Sequence, residues 1–153
     1  MIKEIKKTYE KLAKVVGFKC LGCGKCGCLA LGFNKPILLM SEEVETLKEK
    51  GKMYGVIPMD NGGRLRITPF KCAFFNKNNK CEIHDYKPLI CLLHPFQVFT
   101  VGFAFGGGMI FDTKCSWVKK HRKRLDNPSK KVLEAYNDLY NLVMEYKTKK
   151  GFK

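Results

Sequence analysis

Thiols are the side chains of this 153-residue chain best suited to chemistry, and four of its eight cysteines crowd into nine residues, Cys20-Leu-Gly-Cys23-Gly-Lys-Cys26-Gly-Cys28. Three of them follow a Cys-x2-Cys-x2-Cys rhythm. Gly22, Gly24 and Gly27 between them allow the positive φ that a tight curl needs, so successive sulfurs can face one point. A second group follows in Cys72, Cys81 and Cys91, with Cys115 later still. A short loop dense in thiols has little packing value, and the spacing reads as a metal site. Thiolates are soft ligands that select zinc, Cu(I) or iron–sulfur centres.

For zinc, four ligands suffice, and structural sites usually pair two short Cys-x-x-Cys knuckles. The first knuckle exists, but Cys72 and Cys81 are spaced more like the two ends of a hairpin. For an iron–sulfur cluster, three closely spaced thiols plus a remote one is a common arrangement. Cys20, Cys23 and Cys26 with one of Cys72, Cys81 or Cys91 fit that better, most simply as a 4Fe–4S centre with zinc as the alternative. Eight cysteines also suffice for two four-thiolate sites.

The elements that must position these thiols follow from periodicity. The chain length suits one domain over residues 1–153 with a modest core. Residues 2–16 place Ile2, Ile5, Tyr9, Leu12 and Val16 on one face and lysines on the other, an amphipathic docking helix that delivers the chain to the cysteine loop. Residues 36–40 form a short apolar strand or connector. Ser41, followed by Glu42, Glu43 and Glu45, reads as the N-cap and first turn of a helix that Gly51 ends.

Two hairpins are expected next. Residues 54–59 and 64–68 flank the turn Asp60-Asn-Gly-Gly63, and residues 71–75 and 80–84 flank 76–79. The second would set Cys72 and Cys81 on paired strands. Pro88 opens a single helical turn carrying Cys91. Residues 96–105 and 109–112 flank Gly106–Gly108 as a further, Phe-rich hairpin. A basic run, 119–124, precedes Asn127-Pro128, read as N-cap and first residue of a packing helix over 128–148 with a frayed tail beyond. The fold class is therefore α+β: a cysteine-rich centre between a loop, β-hairpins and a short helix, flanked by N- and C-terminal amphipathic helices.

Composition bounds the setting. The first sixteen residues are peppered with lysine and lack the apolar stretch and cleavage site of a secretory signal, and no apolar run approaches the about 18 residues of a membrane span. Eight cysteines without an export signal point to a reduced, cytoplasmic protein rather than a disulfide scaffold. A net charge of +15 favours nucleic acid or an acidic protein as partner. The plain alternative is a lysine-rich surface kept for solubility, as in a thermophile, with Gln97 the only glutamine.

In these residues the chain resembles the cysteine-cluster (CxxCxxCC) family of zinc- or iron-chelating domains. That family's pattern is Cys-x2-Cys-x2-Cys-Cys, a Glu-bearing helix, then Cys…Cys-x-Ile-Tyr-x-x-Arg-Pro-x-x-Cys. Here Cys20, Cys23, Cys26 and Cys28 are followed by the helix with Glu42, Glu43 and Glu45, then Cys72, and then Cys81-Glu-Ile83-His84-Asp-Tyr-Lys87-Pro88-Leu-Ile-Cys91. The resemblance covers roughly residues 18–95, a metal-binding core. Gly27 separates two cysteines that are adjacent in the family, His84 stands for Tyr and Lys87 for Arg, and Cys115 lies outside the pattern. The resemblance implies a metal-binding set of Cys20, Cys23, Cys26, Cys28, Cys72, Cys81 and Cys91. The cysteine pattern is also similar to one in flagellin lysine-N-methylases, which implies an enzymatic relative, although no separate cofactor signature accompanies it.

The other polar candidates carry plain readings beside functional ones. His84 is a zinc ligand or, more simply, a packing or hydrogen-bonding residue; His94 supports the ligand shell or sits in a turn; Lys87 pairs with an anionic thiolate cluster or is solvated; His121 is a surface residue. No Ser-His-Asp set can be assembled. Three functional readings result: a metal-binding protein serving structure, redox or metal handling; a zinc-stabilised nucleic-acid-binding module; and a cluster-dependent enzyme of unknown substrate.

Overall fold

In the computed structural model, residues 1–21, 37–68, 71–78, 80–98 and 109–151 are described. The chain divides into two compact units: a helical unit made of residues 1–21 and 92–153, and a sheet unit of residues 22–91 inserted between those two segments. The α+β class is observed, with helices beside small antiparallel sheets. No helix among the described residues is long and apolar enough to cross a membrane.

The helical unit starts with α1 (Ile2–Val16), whose bounds match the apolar period: Ile5, Tyr9, Leu12 and Val16 are all buried. It ends because Gly17 turns left-handed at φ 70, and the amide of Phe18 reaches back to the carbonyl of Ala13 at 2.8 Å. The carbonyl of Val16 accepts from the Arg124 guanidinium at 2.7 Å. The basic run, read from the sequence only as a run, is helical. It lies within α4 (Ser116–Asp126), whose Trp117, Val118 and Leu125 are buried.

The C-terminal helix α5 (Lys130–Lys150) packs along α1, and its Leu139 and Val143 are fully buried. Its N-cap is Ser129, not Asn127: the Ser129 hydroxyl accepts from the amide of Val132 at 3.4 Å, while Asn127 closes α4. Nor does the helix fray at 149, because Gly151 at φ 71 caps it one turn later.

Between α1 and α4, residues 95–98 pair antiparallel with 110–112, as the amides of Gln97 and Asp112 bond the carbonyls of Ile110 and Pro95. The turn expected at Gly106–Gly108 lies outside the described residues. Asp112 is the only buried charged residue among those described. Its carboxylate meets His94 Nε2 at 3.0 Å and accepts from the amide of Lys114 at 2.8 Å. The carbonyl of His94 accepts from the Tyr9 hydroxyl at 3.0 Å, which ties α1 to this loop.

In the sheet unit, β1 (Leu38–Leu39) and β2 (Val56–Met59) both pair antiparallel with the central β3 (Gly62–Leu65). The register Met59 to Gly62 closes the first hairpin on Asp60 and Asn61 alone. The four-residue turn expected from sequence is shorter because Gly62, at φ 121, already belongs to the strand. Helix α2 (Ser41–Glu49) packs its Val44 and Leu47 on this sheet. Its N-cap is Met40 rather than Ser41.

The second expected hairpin is reorganised. Strand β5 (Lys71–Cys72) turns back to pair with β4 (Ile67–Thr68), and only a bridge between Phe75 and Cys81 closes the 76–80 loop. Asn76 holds that loop instead of strand pairing, its side-chain oxygen accepting from the amides of Asn78 and Lys80 at 2.9 and 3.0 Å. The last element, α3 (Leu89–Leu92), is the single turn expected after Pro88.

Removing the Asp112 carboxylate would strand a buried imidazole and a loop amide, a cost of roughly 2–3 kcal/mol. Asp112→Ala is therefore expected to lower the unfolding free energy by that amount in urea titration, and Asp112→Asn, which keeps an acceptor, by distinctly less.

Candidate metal centre

Of the seven candidate ligands, the structure brings three together. Cys72, Cys81 and Cys91 all belong to the apolar cluster of the sheet unit, around Phe74, Ile83, Leu47 and Val56. Each arrives by a different route. Cys72 ends β5, opposite Ile67, and is buried. Cys81 follows the Asn76 loop and is placed by the bridge to Phe75, with the amide of Glu82 bonded to the carbonyl of Phe74 at 2.8 Å. Cys91 sits on α3.

Cys20 belongs to the helical unit, where it is exposed beyond the end of α1. Cys23, Cys26 and Cys28 lie outside the described residues. Cys115, also in the helical unit, is buried at the N-cap of α4. All five described cysteines are free thiols.

The three gathered thiols feel one another. Burial first, then the charges Cys72 and Cys81 would carry, then Glu43, push the Cys91 thiol far above its ordinary value of 9.0, with Lys87 opposing. Cys81 is also raised, again mainly by burial and next by Cys72, while the amide of Ile83 directed at its sulfur and the Lys87 ammonium pull the other way. The site thus resists holding bare negative charge. Among the described residues, no group of three His, Cys, Asp or Glu side chains is arranged to hold a metal ion by itself. The donor set nevertheless fits a soft metal: sulfur donors, desolvated, and mutually repelling unless a cation takes up their charge.

Glu43 is the residue whose role in the site sequence reasoning missed. One carboxylate oxygen accepts from the amide of Met40 at 2.9 Å, capping α2; the other accepts from the amide of Leu89 at 2.6 Å. Because Pro88 has no amide hydrogen, Leu89 offers the first donor of the turn that carries Cys91. A single side chain therefore fixes α3 against the start of α2. The Ser41-Glu-Glu43 pattern signalled the cap but not the second, long-range bond.

The remaining candidates separate clearly. His84 is exposed, its Nδ1 turned to the Asp85 carboxylate at 3.5 Å, a polar contact rather than a packed position. His94 is engaged with Asp112 in the helical unit. His121 is not a plain surface residue: it stacks on Trp117 at 4.5 Å and bonds the Trp117 carbonyl at 2.8 Å. Lys87 acts electrostatically on the thiols. Glu82, beside Cys81, is held at the surface by the Tyr54 hydroxyl and by Lys52.

Residues 19–127 match the CxxCxxCC family, described as a putative zinc- or iron-chelating domain. The match extends past the cysteine motif to take in Cys115 and all of α4. Over 149 residues the chain is 26% identical to an uncharacterised protein of Methanocaldococcus jannaschii, an alignment covering 95% of this chain and 79% of that protein. No solved structure matches the chain.

Two outcomes test this geometry in metal-free protein. Raised thiol values mean that, above pH 9, unfolded thiols ionise while folded ones stay neutral. Stability from this source is complete below the unfolded value and is lost as pH rises through the folded ones. Each such group contributes up to about 1.4 kcal/mol per pH unit in that window. Urea midpoints measured from pH 8 to 10.5 are expected to fall more steeply for the natural protein than for Cys91→Ala. Separately, Glu43→Ala is expected to cost about 1–2 kcal/mol and to speed alkylation of Cys91, whereas Glu43→Gln, which keeps one acceptor, retains part of both.

Proposed function

We infer that this chain, which belongs to the CxxCxxCC family of zinc- or iron-chelating domains, holds an iron–sulfur centre of the 4Fe–4S type. The observation that carries the reading is the gathering of Cys72, Cys81 and Cys91, nine and ten residues apart in sequence, on one apolar core, where Cys72 raises the energy of ionised Cys81 and both raise that of ionised Cys91. Setting three thiols against an apolar core has no packing advantage over three apolar residues. It gains purpose when a cation binds.

A four-thiolate centre needs at least one more donor, and the Cys20–Cys28 run supplies up to four at the spacing typical of cluster loops. The ligand set is Cys20, Cys23, Cys26, Cys28, Cys72, Cys81 and Cys91, more than one cluster requires, so exchange of donors belongs to the reading. Such a centre supplies either a crosslink within the fold or a one-electron carrier. Lys87 tempers the anionic charge of the bound thiolates, and Glu43 keeps the Cys91 turn in place. Free thiols and this donor set suit a reducing compartment such as the cytoplasm.

The decisive measurement is iron, zinc and acid-labile sulfide content, with a visible spectrum, on anaerobically purified and reconstituted protein. Several irons and sulfides per chain with broad visible absorbance are expected, reduced strongly in Cys72→Ser, Cys81→Ser and Cys91→Ser but not in Cys115→Ser. A colourless protein with stoichiometric zinc would replace the cluster by a structural zinc site. Absence of any stoichiometric metal would sink the reading altogether.

A further inference from the structure

The charge of this chain is distributed unevenly. The helical unit carries 18 Lys and Arg against 7 Asp and Glu, a net +11, and the sheet unit 11 against 7, a net +4. The thiols gathered on the apolar core are therefore in the less basic unit.

On α4 the excess is presented in one place. Lys119, Lys120 and Lys123 are exposed and have no ion-pair partner among the described residues, whereas Arg122 pairs with Asp126 at 2.8 Å and Arg124 is bound to the carbonyl of Val16. Beside this row lies an open cleft of about 270 Å³. Its apolar lining comes from Met109, Ile110, Phe111, Leu125 and Pro128, and Arg122 also lines it, with the guanidinium 5.3 Å from the centre of the Phe111 ring. Asp126 lines it too, but its charge is taken by Arg122. Lys119 lies three residues before Arg122 and four before Lys123, and Lys120 lies three before Lys123, so the lysines form one row that begins next to Arg122 at the cleft's edge and leads away around the solvent side of α4.

A row of unpaired cations beside a half-buried aromatic ring is the combination that tracks a phosphate backbone while receiving a base. A lipid surface is the poorer match. Interfacial helices need an apolar face to insert, and that of α1 is already buried through Ile5, Tyr9, Leu12 and Val16. A duplex matches the lysines but has no unstacked base for the cleft. We propose that this face of the helical unit binds single-stranded nucleic acid, with Lys119, Lys120 and Lys123 on the phosphates and one base in the cleft against Phe111 and Arg122. This goes beyond metal binding and does not depend on which metal the thiols hold.

The test is fluorescence anisotropy of a labelled single-stranded oligonucleotide with the full chain as purified, over a range of salt. Binding is expected to weaken with a log–log salt slope of about −2, three phosphates at about 0.7 each. Lys119→Glu/Lys123→Glu, surface changes that leave α4 packing alone, are expected to weaken binding tenfold or more. Phe111→Leu keeps the apolar volume but removes the stacking face, and is expected to weaken it about fivefold or more. The proposal is overturned by absence of binding at low salt, by a charge-reversed variant that binds as the natural protein does, by Phe111→Leu without effect, by a duplex of equal length bound as tightly, or by anionic lipid vesicles bound as tightly.

Discussion

A thiol buried among apolar side chains stays neutral unless something takes its charge, and in the sheet unit that constraint falls on Cys81 and Cys91, with Cys72 beside them. Cys91 is raised by its own burial, by Cys72 and Cys81, and by the Glu43 carboxylate, with only Lys87 in opposition. Coulomb repulsion in a poorly solvated site is several times stronger than in water. The metal-free site is therefore stable as thiols and unstable as thiolates. Binding a cation must release protons and reverse the local balance. The small elements around it follow from the same need. Two-residue strands, a hydrogen-bonded asparagine loop and a one-turn helix contribute little stability of their own, but each sets one sulfur at the edge of the core built on Phe74 and Leu47.

Within the helical unit the stabilising contacts are of another kind. Its two segments, separated by 70 residues of the sheet unit, are joined by packing of α1 on α5, by the Tyr9 hydroxyl on the His94 carbonyl, and by Arg124 on the end of α1. Phe18 adds edge-on ring contacts to Phe96 and Trp117. These contacts close a long loop in the chain, and loop closure costs only slowly more as the loop lengthens. An insertion of this size is thus tolerated thermodynamically by a modest helical core. The exposed Lys11–Asp138 pair at 3.4 Å adds little by comparison.

What the sequence revealed, and what it hid, divides along the same line. Helices α1 and α5 were legible because a 3.6-residue apolar stripe persists for four or more turns, and a boundary error at Asn127 does not alter a stripe. The α4 helix was hidden by its own composition, since six consecutive polar residues between Val118 and Leu125 mask its apolar side. The sheet was only half legible. Two-residue strands carry no period, so nothing local told β5 to pair backwards with β4 rather than forwards. The thiols were legible as ligands by type and spacing. Their convergence, and the two-ended bond of Glu43, are tertiary facts that no local pattern encodes.

The positions where the chain departs from the cysteine-cluster pattern show which parts of that pattern the site needs. His84 replaces an aromatic hydroxyl, yet its side chain is 65% exposed and turned to Asp85, so the fold asks of that position only a residue that tolerates the 3-10 turn Ile83 begins. Lys87 replaces arginine. Arginine's advantage is a rigid fork that grips a carboxylate or phosphate with two bonds, but the influence of Lys87 on Cys81 and Cys91 is purely one of charge. Pro88 and Cys91 themselves are unchanged, and the structure shows why. Pro88 leaves the amide of Leu89 as the first donor of the turn, Glu43 takes it at 2.6 Å, and the register of that bond fixes where the Cys91 sulfur emerges. The motif is therefore tight where backbone geometry aims a sulfur and loose where only solvent or a diffuse charge is involved.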